Sequence, residues 1–185
     1  GYAGPWEQRW TDAPPNASAL YPLREDTSRG LLYARLLASV GINVVVWSNV
    51  NACDRGNEQL MAIAPDSALS SLAKLFYTYG IHSVLSPCFA SPQIVGGLQT
   101  SNPKNSSVTQ FWHERVKAVS KAWGGAFRGL LFKGDSEGQP GPNMYNMTEL
   151  EGANYFGEIL DRYDAMCIWR AFSHPPKGTD QAVFQ

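Results

Sequence analysis

The chain has 185 residues, 44% of them hydrophobic and 17% charged, with 15 basic against 16 acidic side chains and a formal charge of -1. That is enough apolar material for one sizeable core, and the near-neutral balance leaves no electrostatic footprint for nucleic acid or a membrane surface. No apolar run approaches the roughly 20 residues of a membrane helix, and no charged start followed by an apolar stretch marks a signal peptide.

Residues 1–27 carry Pro5, Trp6, Trp10, Pro14, Pro15 and Pro22 without a sustained period and read as an irregular lead-in. From Ser28 the pattern becomes regular. Tyr33, Leu36, Leu37 and Val40 fall at i, i+3, i+4 and i+7, a helical stripe that ends before Gly41, and Ile42 to Trp47 then reads as a fully buried strand. The same arrangement recurs. Leu69, Leu72, Ala73 and Phe76 form a stripe ahead of a strand over Ile81 to Leu85, and Trp112, Val116, Val119 and Trp123 form another before Phe127 to Lys133. Thr148 and Glu151 have capping-box spacing in front of Phe156, Ile159, Leu160 and Tyr163, and Ala165 to Trp169 is the fourth strand.

The expected strand starts, Ile42, Ile81, Phe127 and Ala165, are 39, 46 and 38 residues apart, the spacing of successive βα units. Strands that are continuous apolar runs predict a parallel sheet covered on both faces. Four such units fit half of a (β/α)8 barrel, whose full form has about 250 residues, or a small doubly wound sheet, and the pattern leaves both open. No Gly-x-Gly-x-x-Gly turn or Walker loop follows a strand, which argues against a nucleotide-binding domain.

In either architecture the working face lies at the carboxyl ends of the strands. The residues expected there are Asn49, Val50 and Asn51, then Phe89 to Gly97, then Lys133 to Glu137, and finally Arg170. Arg and Lys suit a substrate carboxylate, the one as a two-pronged fork and the other as a compact charge, and the Asn amides suit hydroxyls. Asn after a strand equally serves as a backbone turn residue. Cys53, Cys88 and Cys167 are odd in number and widely spaced, so ordinary thiols are expected rather than a disulfide framework or a zinc site. His82, His113 and His174 form no metal-like cluster, and Glu151 is read as a capping partner. Asn16, Asn105 and Asn146 begin Asn-x-Ser/Thr sequons.

Glu137 lies in Lys133-Gly-Asp-Ser-Glu-Gly-Gln-Pro-Gly-Pro142, where Pro140 and Pro142 prevent the strand from continuing and put the carboxylate on a turn. Ser136-Glu-Gly-Gln-Pro-Gly-Pro142 resembles the general-acid motif of the α-glucuronidases of glycoside hydrolase family 67. Gly1-Tyr-Ala-Gly4, Tyr33 to Asn43 with Asn49-Val-Asn-Ala52, and Phe89-Ala-Ser-Pro92 with Gly96-Gly-Leu98 are similar to the same family and follow its order along nearly the whole chain. The departure is Gly134-Asp135, where the family usually has Ala-Asn.

The resemblance implies an internal fragment of the catalytic domain: a partial (β/α)8 TIM barrel of about four βα units, with residues 1–185 a single, incomplete glycoside hydrolase domain. It implies inverting hydrolysis of the α-1,2 bond between (4-O-methyl)glucuronic acid and xylose in xylan-derived oligosaccharides. Glu137 stands at the general-acid position. Lys133 and Arg170 match positions that contact the uronate, and Asn49, Val50, Asn51 and Trp6 are further substrate-binding candidates. No metal or organic cofactor is expected, and the partner is a xylo-oligosaccharide bearing glucuronic acid. An inverting enzyme needs a base carboxylate ~6.5–9.5 Å from the acid; no segment here matches it, Asp54, Glu149 and Glu151 included, so the fragment alone is expected to be inactive. A secreted, extracellular protein is expected, since xylan is extracellular. The alternative is a uronic-acid-binding protein or pseudoenzyme that does not cleave.

Overall fold

The computed structural model describes residues 27–47, 68–135 and 140–170. Within them four strands, β1 (Val44–Trp47), β2 (His82–Leu85), β3 (Phe127–Phe132) and β4 (Met166–Trp169), form one sheet in the order β1-β2-β3-β4, every neighbouring pair parallel. Helices α1 (Thr27–Ser39), α2 (Ala68–Tyr77), α4 (Ser106–Trp123) and α5 (Glu149–Asp161) precede the strands one by one, and a single turn, α3 (Ser91–Ile94), follows β2. The register slips once, between Ser83 and Val84, where β3 inserts an extra residue against β2.

Three of the four expected helical stripes are the buried faces. Leu69, Leu72, Ala73 and Phe76 of α2, Trp112, Val116, Val119 and Trp123 of α4, and Phe156, Ile159 and Leu160 of α5 are all buried. The α1 stripe is a correction. Its helix forms over the expected residues, but Tyr33, Leu36 and Val40 are exposed, Leu36 at 57%, while Ala34 at 0% is the residue enclosed with Leu72, Phe76 and Ile81. The helix carries apolar residues on more than one side, and the small Ala34 permits close approach to α2.

The strands are shorter than expected at several ends, and β1 is not fully buried: Val46 is exposed and the other three residues of β1 are half-buried. β4 is likewise half-buried, whereas β2 and β3 between them are mostly enclosed. The outer strands of the described sheet lack a neighbour on one side, which accounts for the difference.

The main core joins α4 and α5 to the sheet through an aromatic cluster. Phe156 lies stacked on Phe132 with centroids 3.6 Å apart, and Trp112 meets Phe156 edge-on at 5.1 Å and Phe132 at 5.5 Å. Phe89, Tyr155 and Trp169 complete the ring of contacts around Phe156. Offset and edge-on pairs add about 0.5–1.5 kcal/mol each beyond area burial. Phe156→Ala is therefore expected to destabilise this unit by about 3–5 kcal/mol, read as a lowered denaturant midpoint at unchanged slope.

Candidate active site

The carboxyl ends of the parallel strands share one edge of the sheet, and β3 and β4 bring Lys133 and Arg170 to it side by side. Phe132 is in register with Trp169, their rings 5.9 Å apart on the side covered by Phe156. Strand alternation turns the next pair, Lys133 and Arg170, to the other face. The ladder reaches them, since the Arg170 N–H donates to the Phe132 carbonyl at 2.9 Å. Both side chains are half-buried.

Lys133 and Gly134 line a small open cleft with Ser86, Pro87, Cys88, Phe89 and Pro140, between the ends of β2 and β3. The β2 side is held by Phe89, which stacks on Tyr145 at 6.2 Å. The Tyr145 hydroxyl accepts from the Ser101 N–H and donates to Gln93 Oε1, each at 3.2 Å. The loop after β2 is thus fastened to the 3-10 turn Pro142–Tyr145 that follows β3.

On the β3 side the organising group is Glu149, in the first turn of α5. Its carboxylate accepts from the Asp135 N–H at 3.2 Å and from the indole N–H of Trp169. The Asp135 carboxylate in turn accepts from the Asn143 N–H, at 3.3 Å to Oδ1 and 3.2 Å to Oδ2. Burial and the adjacent Glu149 carboxylate, outweighing the Asn143 N–H, push the Asp135 carboxyl up to about 6. These contacts tie the chain on either side of residues 136–139. Sequence reasoning finds in Asp135 only a charge near the acid and in Glu149 no match for a base; the bond between their elements depends on strand ends meeting in space.

The expected capping box is present. Thr148 Oγ1 accepts from the Glu151 N–H at 3.2 Å, and the Thr148 N–H donates to Glu151 Oε2 at 2.7 Å, which holds the Glu151 carboxyl below its ordinary range. It fixes where α5 begins and hence where Glu149 stands. Glu137, Asn49, Val50, Asn51 and Trp6 lie outside the described residues. The cysteine expectation is corrected at one position: Cys88 is disulfide-bonded, its partner being outside the described residues, because separation along the chain does not limit approach in space. Cys167 is a free thiol, pushed up to about 11 by burial.

Parallel strands that carry a lysine and an arginine to one edge, beside a cleft, define an α/β segment whose strand ends form the candidate working face. The model of the glycosyl hydrolase family 67 middle domain matches residues 1–182. The chain is 37% identical over 168 residues to Alpha-glucuronidase A of Emericella nidulans, covering 87% of this chain and 18% of that protein. It is 39% identical over 150 residues to Alpha-glucuronidase of Hypocrea jecorina and 42% identical over 157 residues to Probable alpha-glucuronidase A of Aspergillus fumigatus, in both cases 81% of this chain and 17% of the relative. The chain belongs to glycoside hydrolase family 67. It spans 17–18% of the length of these curated relatives.

Removing the cap tests how far α5 depends on it. Thr148→Ala is expected to cost about 1 kcal/mol in chemical denaturation, and Thr148→Ser to recover most of the loss.

Proposed function

We propose that this segment supplies the acid side of an α-glucuronidase active site, releasing (4-O-methyl)glucuronic acid from α-1,2 linkage to xylose in xylan-derived oligosaccharides. The observation that carries the reading is the pairing of Lys133 with Arg170 on one face of adjacent strand ends. Two cations on neighbouring strand ends suit a single carboxylate, and each uronic acid to be released carries one. Glu137 follows the same end of β3 in sequence, two residues beyond Asp135.

In this reading Glu137 protonates the glycosidic oxygen, so that xylose leaves with a neutral hydroxyl. Water adds to the anomeric carbon from the opposite face and gives its proton to a carboxylate base supplied by another part of the protein, inverting the configuration. Asn49, Val50, Asn51 and Trp6 are proposed to contact the sugar. The four strands form part of a (β/α)8 barrel, and residues 1–185 make one incomplete catalytic domain. Sequential strand order supports this, because doubly wound sheets reverse their order at a switch point whereas barrel strands follow one another. The exposure of Asn105 and Asn146, each at the start of a sequon, fits a secreted and glycosylated protein.

In a full-length enzyme carrying this segment, Glu137→Ala is expected to lower kcat on glucuronic-acid-bearing xylo-oligosaccharides by roughly 10²–10⁴-fold, followed as released uronic acid. Near-normal turnover would sink the assignment. The 185-residue chain by itself is expected to release none, and activity from it alone would refute the placement of the base elsewhere.

A further inference from the structure

We propose that Asp135 is a positioning residue: bonded to Glu149 and to the backbone of Asn143, it holds both stems of the segment of chain that contains Glu137. The inference rests on Glu137 being the acid. The stems are Asp135 and Asn143, and Asp135 contacts across the gap between them, its carboxylate accepting from the Asn143 N–H while its own N–H donates to Glu149 Oε1. The space for this is made by two glycines. Gly134 has a φ of +56°, and a Cβ there would run into the Glu149 carboxylate; a Cβ on Gly141 would run into the Asp135 carboxylate. Glu149 is itself fixed by the Trp169 indole N–H from β4 and by its place in the first turn of α5.

The Glu149 carboxylate raises the Asp135 pKa as a hydrogen-bond partner and as a like charge, and a proton on Asp135 turns that repulsion into a bond. Of the other charged side chains on the elements meeting here, Lys133 at the end of β3, Arg170 at the end of β4 and Glu151 in the first turn of α5 lie at this edge, the last turned back onto Thr148, whereas Arg128 is near the opposite end of β3 and Glu158 and Asp161 are in the later turns of α5. The 3-10 turn Pro142–Tyr145 carries none. The folded state raises the Asp135 pKa above its ordinary value near 4, to about 6. The sign follows from linkage: the bond between the carboxyls contributes fully below the ordinary value and is lost as pH rises through about 6. Asn at this position keeps a donor for Glu149 and an acceptor for the Asn143 N–H at every pH.

The test uses Asp135→Ala and Asp135→Asn in the full-length enzyme. At about pH 5, where Asp135 is mostly neutral, the Ala variant should lose kcat on the order of 10- to 100-fold with KM little changed, and the Asn variant should recover most of it. Independently of activity, the Tm of the wild type should fall relative to that of the Asn variant between about pH 4.5 and about pH 7.5. An Ala variant with wild-type kcat, or an Asn variant no better than Ala, overturns the positioning role, and a Tm difference that does not move with pH overturns the bond between the carboxyls. If the Ala variant does not fold, the Asn variant decides: a kcat at about pH 5 far below that of the wild type overturns the positioning role, and its Tm profile judges the carboxyl pair. Should Glu137→Ala retain full activity, the acid assignment and the positioning role fall together, whereas the Tm comparison still judges the carboxyl pair.

Discussion

The Glu149 carboxylate is the constraint on which the arrangement of the strand ends depends. It stands in the first turn of α5, where unpaired N–H groups and the helix dipole favour an anion. Because Thr148 and Glu151 satisfy the helix start between themselves, the Glu149 side chain is available to reach sideways. It takes the indole N–H of Trp169 from β4 and the backbone N–H of Asp135 from the end of β3. One group therefore joins a helix and two strands at the edge where βα proteins place their chemistry. A buried donor or acceptor left without a partner costs about 1–3 kcal/mol, so each of the three elements is held to the position of the other two.

That junction is set by the packing below it. The axial position of α5 over the sheet follows from Phe156, which stacks on Phe132 and is met edge-on by Trp112. Trp169 belongs to both layers, its ring lying near Phe132 and Phe156 while its N–H reaches Glu149. Indole suits this place because it has a large apolar body and a single donor at the rim. A shift of the aromatic cluster would move Glu149 as well, and through it the stem of the turn that leaves β3.

Much of this was legible in the sequence wherever local pattern and burial agree. The stripes of α2, α4 and α5 identified their buried faces because each helix has a single apolar side. In α1 several apolar side chains compete, and periodicity alone selects Leu36 and Val40 although the enclosed residue is Ala34. Lys133 and Arg170 were legible as strand-end residues, and their adjacency followed once β3 and β4 were known to pair in parallel. The roles of Asp135 and Glu149 were not, since they arise where a strand end meets a helix start 14 residues away. A sign was present nonetheless in Gly134-Asp135, where the resemblance implies a departure from the usual Ala-Asn.

That departure has a physical logic of its own. On the proposed reading the strand ends must offer two cations to a substrate carboxylate, yet two protein carboxylates, Asp135 and Glu149, stand at the same edge. A carboxylate is a weaker competitor for a cation when its lone pairs already face N–H donors and when one of a close pair is protonated. Glu149 faces the Asp135 N–H and the Trp169 indole, and Asp135 faces the Asn143 N–H and Glu149. Gly134 is the companion this requires, since a side chain at that position would hold Glu149 away from the Asp135 backbone and return its carboxylate to the cleft.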